Sequence, residues 1–535
     1  MRPLSNKYLA CCNVVAAFLL ALPLGCTAQS LVDVGAERGI LDYHMAPPMG
    51  AGLAAADIDN DLDIDLFVPN AEDTADQLYL NDGSGTFSNT ASAAGLNTQQ
   101  RARAALWFDM DGDRDLDLVK AGDCFGEWGL GTGDVVCRPG RAMLRLYRQE
   151  SNGVFVNVTT GSGLEQDSGI LENAHHRGGL AAGDLDQDGD LDLYSAFWRG
   201  PSRLYFNDGT GHFTDVTVAA GVHRPGTAQW QPVILDVDGD GRQDIFVAVD
   251  FTANFLFMNQ GNGQFEDHAA AAGVNQDWND MGVAVGDADN DGDFDLYVTQ
   301  VHGANPEERN LLLRNDSVPG TPLFVEHSQT AGVADTSWGW GATFADMDLD
   351  GDLDLLATNG FDSVEGAQYP TDPSRAFRND GDGTYTDVSA AWGFNDTLWG
   401  SGLIAFDFDR DGRLDLLQAT KVHPNPGPLR LLRNTATPAA NFLRVVPRSM
   451  GPNSQAIGAR VSVRIGSQWQ HRLITAGLSF LSQEPAEAHF GLAGATRVDE
   501  LRVVWPDHQE TVQRAIPANR SVLVWDDQTM VADFE

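Results

Sequence analysis

Residues 183 to 194 read GDLDQDGDLDLY, with aspartate at Asp184, Asp186, Asp188, Asp190 and Asp192 and then an apolar, strand-like run. The nine-residue acidic pattern returns as DIDNDLDID from Asp57, DMDGDRDLD from Asp109, DVDGDGRQD from Asp236, DADNDGDFD from Asp287, DMDLDGDLD from Asp346 and DFDRDGRLD from Asp407. Successive copies begin 51 to 75 residues apart. That spacing suits one four-stranded propeller blade per unit, with insertions in some members.

The flanks of each copy place its strands. A Gly- and Trp-rich apolar stretch such as WGWGATFAD precedes the loop, and an alternating run such as LDLYSAF follows it. A third strand then ends in a turn, as in LYFNDGTGHF, and a fourth begins FTDV or YTDV. Asn-Asp-Gly marks a tight hairpin. The array is incomplete at both ends: LRLLRNTATP after the seventh loop has no fourth strand, and LVDVGAERGI from Leu31 is a fourth strand without its blade. The two halves are expected to complete one blade and close the ring, which protects the strand edges; an open array is the alternative. Beyond about residue 438 the repeat stops, and period-two alternation in RVSVRI and ELRVVW predicts a small β-sandwich. The expected fold is all-β: a seven-bladed β-propeller over residues 30–437, closed by an N-terminal strand, and a small β-sandwich-like domain over 438–535.

The aspartates predict a cation at each loop. Positions 1, 3, 5 and 9 are aspartate in all seven copies, and alternate oxygens of a tight loop converge on one centre. Position 7 adds a backbone carbonyl. The candidate ligands are Asp57, Asp59, Asp61, Asp63 and Asp65; Asp109, Asp111, Asp113, Asp115 and Asp117; and Asp184 to Asp192 as above. The later loops supply Asp236, Asp238, Asp240, Arg242 and Asp244; Asp287, Asp289, Asp291, Asp293 and Asp295; Asp346, Asp348, Asp350, Asp352 and Asp354; and Asp407, Asp409, Asp411, Arg413 and Asp415. About six to eight hard oxygens are what calcium takes, so up to seven Ca2+ ions are expected. Magnesium demands stricter geometry, and these loops contain no imidazole or thiolate to favour zinc. Without a cation, two carboxylates about 4 Å apart repel by roughly 1 kcal/mol in water and about 4 kcal/mol at intermediate dielectric. Position 6 is usually glycine, which permits the sharp turn; Leu62 and Arg114 replace it in the first two loops, where weaker or distorted sites are expected.

The repeat resembles the FG-GAP or VCBS repeats of integrin α-subunit propellers over roughly residues 30 to 437. The resemblance implies calcium loops joining the first and second strands, on the face opposite the main ligand surface. NSQAIGARV, SFLSQ, HFGL and VVWPD resemble the ASPIC/UnbV domain, and its position after calcium-loop repeats is the arrangement of the cartilage acidic protein 1 family. Gly494 comes two residues after GL, where many relatives continue directly with another glycine, and no cysteine-rich module follows. The resemblance supplies no catalytic residue set; it implies an extracellular, calcium-binding protein of adhesion or matrix type.

The 535 residues carry 34 basic against 76 acidic side chains, a formal charge of −42. That argues against nucleic acid and anionic membranes as partners. Seven divalent ions would offset only fourteen of those charges, and a saline habitat is one source of the remainder. Residues 1–28 read as a signal peptide, with Arg2 and Lys7 before an apolar run. PLGC resembles a lipoprotein box that would make Cys26 a lipidated first residue and the only means of membrane attachment. Cleavage after Ala28 would instead release a secreted protein. Either way the chain is expected to be exported, free or as an outer-surface or periplasmic lipoprotein. Cys124 and Cys137 then read as a disulfide, the alternative being two free thiols. Asn157, Asn315, Asn395 and Asn519 stand in glycosylation sequons.

The strand-two-to-three insertions are expected on the face opposite the loops, where functional segments concentrate. His175, His176, His302, His423, Trp278 and Trp338 are the candidate ligand-face residues there, with His44, His223, Trp230 and Trp399 nearby. The tryptophans recur with the repeat, which favours packing between blades. No HExxH, GxSxG, P-loop or CxxCH motif occurs. The expectation is therefore a non-enzymatic recognition or adhesion protein with an extracellular protein or glycan partner. The alternative is a polysaccharide lyase or hydrolase with its site in the propeller mouth.

Overall fold

A computed structural model describes residues 31–40, 50–70, 75–98, 102–122, 136–137, 144–150, 153–167, 171–172, 176–301, 308–334, 337–361, 372–422, 425–436 and 440–532. The signal segment with Cys26, and also His44, Cys124, His175, His302 and His423, lie outside the described residues.

Seven antiparallel four-stranded units follow one another along the chain. The third runs His176–Gly183, Asp192–Trp198, Arg203–Asn207 and Phe213–Asp215, with the acidic loop between its first two strands. All seven residues of Asp192–Trp198 are buried, because both faces of the strand pack against neighbouring blades. Rows of apolar side chains fill the seams, as where Phe67 meets Trp107 edge to face at 5.9 Å. A single bridge, Trp198 to Ala228, joins the third and fourth units at their edges. The seventh unit is composite. Leu31, Val32 and Asp33 pair antiparallel with Asn434, Arg433 and Leu432, so the N-terminal strand completes the last blade, as its sequence requires.

The C-terminal residues form two four-stranded sheets. One orders Ala488–Ala493, Asn441–Arg448, Arg520–Trp525 and Met530–Ala532, with the middle pair parallel; the other orders Gln468–Leu473, Arg460–Ile465, Arg497–Val504 and Glu510–Pro517. Leu443, Val445, Val461, Val463, Phe490, Leu501 and Val522 are buried between them. Ala493, which follows GL where many relatives carry glycine, adopts φ +47°, a left-handed setting that costs a side-chain-bearing residue some strain.

The connection between strands Gln468–Leu473 and Ala488–Ala493 leaves the sandwich and enters the propeller axis. Gln483 pairs with the first blade, Gln483 N to Leu53 O at 2.8 Å and Ala55 N to Gln483 O at 3.1 Å. Its side chain clasps Trp107 of the second, accepting from the backbone N at 2.7 Å and donating to the carbonyl at 2.9 Å. Ala182 N of the third blade donates to Ala476 O at 3.0 Å, and Leu481 N donates to Gln231 Oε1 of the fourth at 2.8 Å. Ser479 and Val283 of the fifth exchange both backbone bonds. Glu484 accepts from Thr343 Oγ1 of the sixth and, at 2.9 Å, from Ala405 N of the seventh. Phe480 is fully buried between Trp230 and Trp340, with centroids 5.5 and 5.0 Å away. One short segment therefore touches every inner strand and satisfies backbone groups that would otherwise line an open channel.

Candidate cation sites on the propeller loops

Each loop is built by backbone dihedrals before any cation is considered. Positions 4 and 6 are left-handed, as in Gln187 at φ +66° and Gly189 at +97°, which curls the chain around its own carboxylates. Leu62 and Arg114 hold φ of +70° and +75° at position 6, a strained setting for a side-chain-bearing residue. The glycine expectation thus names a real backbone need, and the first two loops meet it at some cost.

The first aspartate caps its own loop: Asp184 accepts from Asp188 N at 3.1 Å and Gly189 N at 3.2 Å. Asp236, Asp287, Asp346 and Asp407 accept from the same two positions. Position 5 accepts from the backbone of position 7, as in Asp190 N to Asp188 Oδ1 at 3.0 Å. The ninth aspartate does more than the ligand role assigned from sequence. It opens strand two and joins the loop to strand three: Asp192 takes Leu185 N on one oxygen at 2.9 Å and Asn207 N on the other at 3.0 Å.

The residues present fit a hard cation. Among the described residues, seven groups bring three or more His, Cys, Asp or Glu ligand atoms within 4.8 Å of one another, among them Asp57, Asp59 and Asp61; Asp109, Asp111 and Asp117; Asp184, Asp186 and Asp192; Asp236, Asp238 and Asp244; and Asp287, Asp289 and Asp291. One oxygen each of Asp111, Asp186, Asp348 and Asp409, all at position 3, is buried with no hydrogen-bond donor. Such acceptors are costly unless a positive group meets them. Burial pushes the carboxyls up: Asp184 and Asp186 to about 6, Asp287, Asp346 and Asp407 to about 7, and Asp65 and Asp117 to about 8. Neighbouring carboxylates add to the rise in every one of these, and backbone N–H donors oppose it.

Arginines modify particular loops, which the sequence pattern does not reveal. Arg242 and Arg413, placed at position 7 for their carbonyls, turn their guanidinium groups back to Asp240 and Asp411. Arg433 stands 2.8 Å from Asp409, Arg410 pairs with Asp63 of the first loop, and Arg448 lies 3.7 Å from Asp57. The third loop has none of these ion pairs among the described residues.

A second set of residues escaped the sequence reading altogether. The last residue of each third strand, or in the second blade the one before it, is an amide that reaches the preceding blade's loop. Asn81 donates to Phe408 O, Gln149 to Ile58 O, Asn207 to Met110 O, Asn259 to Leu185 O, Asn315 to Val237 O, Asn379 to Ala288 O and Asn434 to Met347 O, all at 2.8 to 3.0 Å. Their recurrence at one place in every repeat was the available signal. It also removes Asn315 as a glycan acceptor, since the residue is only 2 % exposed and bonded through its side-chain nitrogen.

On the opposite face, Trp338 stacks on Phe361 at 4.2 Å and Trp278 packs beside Arg309, whose guanidinium lies 5.8 Å from the ring. Trp230 and Trp399 are buried, the former against the axial Phe480. The tryptophans are thus packing elements at the axis and the seams. His176 begins an inner strand, and His223 lies in the turn before Ala228–Leu235.

These features define a repeat propeller whose strand-one-to-two loops gather acidic side chains and whose axis is filled by a segment of the C-terminal β-domain. The chain matches the FG-GAP-like repeat profile at residues 57–119, 131–195, 184–247, 236–298 and 366–417, more than half its length, and the ASPIC and UnbV profile at 449–530. It belongs to the FG-GAP-like repeat family and carries an ASPIC/UnbV domain. Cartilage acidic protein 1 of Mus musculus is 29% identical over 338 residues, covering 61% of this chain and 48% of that one. The Homo sapiens protein of that name is 30% identical over 275 residues, 49% of this chain and 39% of the relative. The chain therefore spans less than half the length of these relatives. Among solved structures, an Agrocybe aegerita lectin that recognises terminal N-acetylglucosamine is similar at 15% identity and a TM-score of 0.39, covering 72% of this chain and 94% of that one. Polysaccharide lyase Uly1 is similar at 11% identity and a TM-score of 0.37, covering 74% and 92%.

Proposed function

We propose that the chain is an exported, calcium-binding recognition protein without catalytic activity, in which cations clip each acidic loop and an extracellular protein or glycan is bound on another surface. The observation that carries the cation part is the set of buried position-3 oxygens without donors at Asp111, Asp186, Asp348 and Asp409. Asp, Asp and Asp at positions 1, 3 and 5, the ninth carboxylate and the seventh carbonyl would hold the ion. A bound divalent cation would supply the positive charge that these oxygens otherwise lack.

The recognition part is supported by similarity to cartilage acidic protein 1 and by the axis itself. Backbone groups that could have lined a substrate channel are paired with residues 476–484 of the same chain. Elemental analysis of the mature protein after gel filtration in calcium tests the cation assignment. Several calcium ions per chain are expected; a protein that retains none contradicts it.

A further inference from the structure

The C-terminal domain rests on the same face as the acidic loops, and it grips them at one recurring place. In the first loop Arg444 donates to the carbonyl of Leu62 at 3.1 Å; in the fifth, Arg460 donates to Gly292 O; in the seventh, His489 Nε2 lies 3.0 Å from Gly412 O. All three acceptors are position 6, whose carbonyl direction depends on the left-handed turn. Burial lowers His489 to about 3, so its ring is neutral and the Nε2 proton serves this bond. In the sixth loop Gly491 N donates at 3.0 Å to Asp346 Oδ2, the oxygen that also caps Gly351 N.

His489 and Gly491 lie on the strand Ala488–Ala493, directly after the axial segment, and Gln470, whose amide nitrogen would stand 2.8 Å from a Cβ on Gly351, lies on the strand before it. The two strands that carry the axial segment are therefore seated on the sixth and seventh loops. Without a cation the aspartates of each loop repel, and that repulsion works against the backbone caps that hold the position-6 turn.

We infer that the C-terminal domain is clamped to the propeller by cation-loaded loops, and that losing the cations frees residues 474–487 and opens the axial channel. This rests on the cation assignment proposed above and goes beyond it. The channel so exposed would present unpaired inner-strand groups at Leu53, Trp107, Ala182 and Val283, a surface matched to an extended peptide backbone like the one that now fills it.

Hydrogen exchange by mass spectrometry on the mature protein tests this, with metal content measured on the same samples. In calcium, amides of 474–487 are expected to be protected. In chelator their exchange should rise about tenfold or more, while the second strand of blade four, Asp244–Asp250, stays protected. Cation-free protein in which 474–487 stays protected would overturn the inference and leave the calcium assignment intact. Equal loss of protection in Asp244–Asp250 would also overturn it, because release would then be global unfolding. A protein that binds no calcium at all removes both. Gly491→Ala gives a second handle: its Cβ would stand 2.1 Å from Asp346 Oδ2 and 2.4 Å from Leu349 Cα. It should deprotect 474–487 even in calcium, with at most one ion lost; unchanged protection would contradict the clamp.

Discussion

The side-chain amide of Asn207 donates to the backbone carbonyl of Met110, 2.9 Å away in the acidic loop of the preceding blade. Asn207 N also donates to Asp192 of its own loop at 3.0 Å, so a single residue ties two neighbouring loops together. Six equivalents repeat the link, and the ring closes where Asn81 of the first blade reaches Phe408 of the seventh. Asn207→Ala should leave a buried carbonyl unsatisfied and lower stability by about 1–3 kcal/mol. Denaturant unfolding in calcium checks this; an unchanged midpoint would mean that the link carries no net energy.

Phe480 occupies the centre of the axis, buried against Trp230 and Trp340. Phe480→Ala should leave a cavity there and cost about 3–5 kcal/mol if the surrounding tryptophans cannot collapse into it. The same unfolding experiment reads the effect, and a loss below that range would mean the axis repacks.

Glu484 is buried between blades six and seven, and burial raises its carboxyl from 4.5 to about 7. The protonated form is therefore favoured in the folded chain. Its stabilising contribution is full below pH 4.5 and is lost as pH rises through 7. In chelator, Glu484→Gln should flatten the wild-type decline in stability between about pH 4.5 and 7, and matching pH profiles would contradict the assignment.

Leu62 sits at φ +70° in the first loop, where five other loops use glycine. Leu62→Gly should relieve roughly 1–2 kcal/mol of backbone strain, partly offset by the greater freedom of the unfolded chain. A lower melting temperature for the variant would show that the leucine side chain contributes more by packing than the strain costs.

The loops, the strand order and the closure at Leu31 were legible because each rests on a pattern repeated seven times or on its conspicuous interruption. Repetition was also available for the strand-three amides, but Asn in an Asn-Asp-Gly context reads first as a turn residue, and the turn explanation hid the longer-range bond. GLSFLSQEPAE occurs once, so neither period nor spacing distinguishes an axial segment from a surface loop. Its roles appear only when Gln483 meets Trp107 and Glu484 meets Ala405 across hundreds of residues. The arginine adjustments were hidden for the same reason: Arg448 and Asp57 lie at opposite ends of the chain, and only folding makes them neighbours.

The central claim is that cations hold the acidic loops closed, and thermal unfolding of the mature protein measured across a calcium titration tests it most directly. Binding to the folded chain alone should raise the melting temperature progressively with calcium concentration, and chelator should reverse the rise. A melting temperature independent of calcium, in protein first stripped of metal, would contradict it.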